Sequence, residues 1–202
     1  MAPLCGCFGP LSHLNWSINY DTMLEKYVVG SAVARFCGRV AKLQLQKHLD
    51  FLSEQPYPSD LYYEGDWPDV LAVPGVDQIV YDRCMFDLKV ETGPHTGLYI
   101  KKPSSVTVSC QELGDPFRNL RCPGRHNHLQ GLGHGKEHSD AQLWTWDEAS
   151  RVVDGITAVC RRHNTGVSKS YPIYYPIDIS QIAHASPGGR NTDLTQLCAT
   201  QI

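Results

Sequence analysis

The 202-residue chain has no apolar run approaching the roughly 20 residues that a membrane-spanning helix needs, so no membrane span is expected. It has no basic excess. Lys and Arg number 18 against 21 Asp and Glu, a formal charge of −3, so any contact with nucleic acid must be local rather than driven by a global field. Met1 to Gly9 lacks the charged start and long apolar stretch of a secretion signal. The expectation is an intracellular protein, of the nucleus or cytoplasm, whose eight cysteines are mostly reduced thiols or metal ligands. No internal repeat is present. What the chain does have is 17 Gly, 13 Pro and 42% hydrophobic residues, the balance of a loop-rich globular domain.

Met1 to Gly9 reads as the end of a strand opening into a loop, with Cys5 at the mouth of a cleft. So little chain precedes Cys5 that the sequence reads as starting in the middle of a fold. Asp21 can cap a first helical segment and Ser31 a second. Val33, Phe36, Cys37, Val40, Ala41 and Leu45 recur at three and four residues, which predicts a helix over 31–47 with this set as its inner face. Strands are predicted at 49–55, 78–85, 98–102 and 106–110, with a short helix at 66–73 between the first two. Thr145-Trp-Asp-Glu148 is a capping box that should open a helix to about residue 161, with Trp146, Val152, Val153 and Ile156 among its inward residues. The order predicts an α/β domain over 1–162, a partial Rossmann-like sheet with flanking helices. Residues 163–202 are expected to be a flexible tail, with one extended strand possible at 171–179.

Three pieces stand in a fixed order: Pro3-Leu4-Cys5, then Glu54-Gln55-Pro56, then Tyr81-Asp-Arg-Cys84-Met-Phe86 followed by Lys101-Lys102-Pro103. With the Cys122-Pro-Gly-Arg-His126-Asn-His128 knot, this order and spacing resemble a degenerate cytosine-5 DNA methyltransferase-like segment of copia-type retrotransposon polyproteins. The likeness covers about residues 2–155. It implies Cys5 as the nucleophile that adds to carbon 6 of a flipped-out cytosine, and Glu54 as the partner of the ring nitrogen. It places Lys101 and Lys102 among the groups that hold nucleic acid. The family has Pro, Asn and Val where this chain has Leu4, Gln55 and Pro56. The glycine-rich S-adenosylmethionine loop lies upstream of the cysteine in that family, and no such loop follows Cys5. The resemblance therefore implies a methyltransferase-like domain without its cofactor half. It would be inactive alone, and its partners would be DNA or a complementing protein half.

Cys122, His126, His128, His134 and His138 fall within seventeen residues, enough Cys and His for a zinc clip supplied largely by one loop. The spacing matches no standard finger, and the fourth ligand must come from elsewhere, with Cys84 and Cys110 on predicted strands as the candidates. A zinc-stapled interaction module without enzymatic activity is thus a second reading of the chain. Trp144 and Trp146 beside the capping box read as core anchors, with base stacking as the alternative.

Overall fold

The structure is a computed structural model that describes residues 1–3, 5–129 and 141–165. It is mixed α/β. Helices α1 (Ser12–Ile18) and α2 (Tyr20–Gln46) lead to strand β1 (Leu52–Pro56) and helix α3 (Trp67–Leu71). Strand β2 (Asp77–Asp82) passes directly into a 3-10 turn, Arg83–Phe86. Strand β3 (Pro103–Val108) is followed by a single turn, α4 (Gln111–Gly114), and later by helix α5 (Trp146–Asn164).

Among the described residues the strands form one three-stranded sheet in the order β1-β3-β2. Both β1 and β2 pair antiparallel with β3, so they run parallel to each other. The Met1–Pro3 stub adds to the β1 edge. The Met1 ammonium donates to the Leu52 carbonyl at 2.6 Å, and the Glu54 amide donates to the Met1 carbonyl at 2.9 Å. These two bonds straddle Ser53, the pattern of a parallel pair, with α1 and α2 as the crossover. The separate strands expected at 98–102 and 106–110 are instead one strand. Pro103 has no N–H and starts it, while the preceding segment makes only an isolated bridge from Tyr99 to Lys89 and another to His128.

Helix α2 corrects the sequence reading most. It is one helix of 27 residues, and Ser31 lies inside it rather than capping it. Gly30 and Gly38 are not breaks but points of close approach. A Cβ at Gly30 would lie 3.0 Å from the Cys7 sulfur, and one at Gly38 would lie 3.2 Å from the Trp67 backbone nitrogen. The Trp67 indole then donates to the Ala34 carbonyl at 3.0 Å. The apolar set predicted as one inner face splits in two. Ala34, Cys37, Ala41 and Leu45 join the core with Phe51, Tyr62 and Trp67, whereas Val33 and Phe36 face outward.

A second core joins Ile79, Tyr81, Phe86, Val106, Val108, Leu113 and Phe117, with Val152 and Val159 of α5 against it. Gly155 lets α5 approach α4, since a Cβ there would lie 3.2 Å from the Glu112 carbonyl oxygen. The predicted inward residues Trp146, Val153 and Ile156 are exposed, Trp146 at 85%. Half of the capping box forms: the Thr145 hydroxyl accepts from the Glu148 amide at 3.2 Å, but the Glu148 side chain turns into the protein. The extended strand considered at 171–179 lies outside the described residues.

Candidate metal centre and strand-end site

Parallel strands bring their carboxyl ends to one edge. Here the stub, β1 and β2 all finish on the side where β3 begins, as the pairs Pro56 with Ser104 and Asp82 with Pro103 record. Cys5 follows the stub, Glu54 sits in β1, Arg83 follows β2, and Lys102 precedes β3. The Cys5 carbonyl accepts from the amides of Phe8 and Gly9, each at 3.0 Å, which fixes a tight loop. Gln55 clamps that loop to β1 by donating to the Pro3 carbonyl at 2.8 Å.

These groups share one electrostatic environment. Burial, and then the Glu148 carboxylate, raise the pKa of Glu54 against the pull of Arg83 and Lys102. Burial also raises that of the Cys5 thiol, with Lys102 pulling it down and Glu54 adding to the rise. Lys102 is lowered by burial and then by Arg83. The site therefore shifts all three groups toward their uncharged forms. The two adjacent lysines part company, as neighbours on extended chain must. Lys102 turns inward, its ammonium donating to the Ala141 carbonyl at 2.9 Å, while Lys101 is exposed and acts on His128.

Beneath the site lies a constellation that periodicity could not reveal. The Arg83 guanidinium, 1% exposed, donates to the Glu148 carboxylate from Nε at 2.9 Å and from Nη2 at 2.5 Å. It also donates to the carbonyls of Ala141 and Leu143. The Tyr81 hydroxyl donates to the other Glu148 oxygen at 2.7 Å. Its pKa is raised by burial and then by that carboxylate. The one hint in the sequence was Glu148 itself, in the capping box.

Cys84, Cys122, His126 and His128 converge next to Arg83. One donor atom from each lies within 4.8 Å of all the others. The Cys122 sulfur is 3.4 Å from Nε2 of both His126 and His128. Around a tetrahedral zinc with bonds of about 2.3 Å to sulfur and 2.0 Å to nitrogen, those atoms stand about 3.5 Å apart. The four side chains can thus hold a metal ion. Of the two candidates for the fourth ligand, Cys84 is in place, while Cys110 is buried in the second core. His134 and His138 lie outside the described residues. No family model, curated protein or solved structure matches the chain.

The supports of the cluster are of the kind metal ligands need. Asp82 is 1% exposed; its carboxylate accepts from the Cys122 amide at 2.8 Å and pairs with Arg121 at 3.2 Å. The Gly124 amide donates to the Cys122 sulfur at 3.3 Å, and its φ of 76° puts it in the region where glycine is least strained. The His126 ring stacks on Tyr99 with centroids 3.9 Å apart. Burial, and then the neighbouring Cys122 sulfur, push the Cys84 thiol up to about 12, so that in the absence of a cation this thiol stays protonated. Trp144 and Trp146, read as anchors, instead line a cavity of about 610 Å³ with Phe86, Lys89 and Glu91.

Proposed function

We propose that this chain is a methyltransferase-like domain derived from a mobile element, inactive in methyl transfer by itself, stapled by a structural zinc and associated with nucleic acid. The observation that carries the reading is that Cys5, Glu54 and Lys102 act on one another at the end of the sheet where β1 and β2 finish and β3 begins. A Glu54 carboxyl with a raised pKa suits a group that donates a proton or hydrogen bond to a ring nitrogen. A Cys5 thiol with a raised pKa is a poor nucleophile at neutral pH and agrees with inactivity of the chain alone. The parallel stub, its helical crossover and β1 make a βαβ unit of the kind a Rossmann-like sheet is built from, with β3 as an antiparallel insertion between β1 and β2. Exposed Lys101 and Arg125, beside the metal cluster, are the local cations for contact with phosphates.

Two measurements test this. Titration of the purified chain with S-adenosylmethionine should give no saturable isotherm. DNA containing 5-fluorocytosine should form no covalent adduct with the chain alone, and an adduct through Cys5 that forms only with a complementing cofactor half would instead make the chain half of an active cytosine-5 methyltransferase. A tight S-adenosylmethionine isotherm, or an adduct that persists in Cys5→Ser, overturns the proposal.

The second reading, a zinc-stapled module with no catalytic role, is favoured by the donor geometry at Cys84, Cys122, His126 and His128. Stoichiometric zinc, together with no measurable binding to DNA, would select it.

A further inference from the structure

The outward face of α2 carries a feature that neither the strand-end site nor the metal cluster uses. Val29, Val33, Phe36, Val40 and Leu43 fall at alternating spacings of four and three residues, which sets them in one stripe along the helix. This stripe is separate from the core face of Ala34, Cys37, Ala41 and Leu45. Phe36 is 67% exposed and Val29 62%, on a helix of 27 residues. Contiguous exposed apolar surface of this kind, beside a face already buried in the core, marks an interaction site.

We propose that this stripe is a two-fold interface with a second copy of the chain, the two α2 helices pairing antiparallel about Phe36. The charges at its ends point to this occupant. Val29 and Leu43 lie equally far along the helix on either side of Phe36, and so do exposed Glu25 and exposed Lys47. Within one copy, Glu25 and Lys47 are about 33 Å apart along the helix axis and cannot meet. In an antiparallel pair centred on Phe36, each Glu25 stands by the Lys47 of the second copy, and each Val29 stands opposite a Leu43. The contact is isologous, so it closes on itself and every side chain in it counts twice. The flanking Arg39 and Lys42 are held by Asp66 in the same copy.

Sedimentation equilibrium on the full chain, across roughly 1 to 100 μM, tests the proposal. The wild type is expected to fit a reversible dimer. Phe36→Glu should weaken it by about a hundredfold or more, as removal of a central aromatic contact does, with an unchanged far-UV spectrum because the side chain does not belong to the core. Glu25→Lys and Lys47→Glu should each weaken the dimer severalfold, and the double exchange should restore it. That rescue is the decisive arm, since neither variant touches the core. A wild type that is monomeric throughout, which would leave the face to a different chain, overturns the proposal. So does a dimer that Phe36→Glu leaves intact, or a pair of charge reversals whose effects simply add.

Discussion

Arg83 and Glu148, distant in sequence, form an ion pair that is buried on both sides, with Tyr81 bonded to the free carboxylate oxygen. One charge of such a pair cannot be removed without stranding the other. Glu148→Ala should cost about 3 to 5 kcal/mol, read as a shift of the urea midpoint with little change in slope. Tyr81→Phe removes one hydrogen bond to a charged group and should cost about 1.5 to 3 kcal/mol. A double change of Arg83 and Glu148 to apolar residues of similar volume should cost less than Glu148→Ala alone. Equal losses would mean that the ion pair does not tie α5 to the sheet.

Metal removal should loosen the segment from Leu120 to Leu129, because that loop is otherwise held by few backbone bonds. The purified chain should hold one zinc per molecule. Chelation should lower the thermal midpoint by several degrees and raise amide exchange around Tyr99 and Asn127. Cys84→Ser and Cys122→Ser should abolish stoichiometric binding, and Cys110→Ser should leave it intact. Zinc bound with unchanged stoichiometry in Cys84→Ser would show that the fourth ligand has been misassigned.

The raised pKa of Glu54 sets a pH dependence. A carboxyl whose pKa is raised on folding contributes stability that is fully present below its unfolded value of about 4.3. That contribution is lost as pH climbs through the folded value. Glu54→Gln should therefore be more stable than the wild type at pH 7, and the advantage should shrink as pH falls toward 4. Urea midpoints measured over that range check the sign. An advantage that grows on acidification would mean that Arg83 and Lys102 outweigh burial.

Gly38 offers a test of close packing in α2. Alanine there gains helix propensity of about 1 kcal/mol, but its Cβ would press on Trp67, which is fully buried and hydrogen-bonded to Ala34. Overpacking of this kind costs about 1 to 3 kcal/mol. Gly38→Ala should lower the thermal midpoint, and Gly38→Val should lower it further. Stabilisation by alanine would mean that α3 shifts freely.

The elements that sequence reading located well were those with local causes. Pro68 in the first turn of α3 and the Thr145 cap of α5 mark their boundaries through backbone chemistry, and each falls within a few residues of its expected place. Gly30, which parted the two expected helical segments, misled because its purpose is tertiary. The apolar spacing of that helix misled because two stripes, one inward and one outward, overlap in a single three-and-four pattern. Periodicity reports that a face is apolar, but not what covers it.

The sequence by itself determined the inventory: a thiol, a carboxylate, a lysine pair and a Cys/His knot, set on alternating helix and strand. Only the tertiary structure decided which of these meet. The sheet order put Glu54 and Lys102 at one edge and turned Lys101 away. The turn after β2 brought Cys84 to the histidines. Glu148 left its helix cap for Arg83, because a buried guanidinium requires a carboxylate more than a helix end requires a second bond.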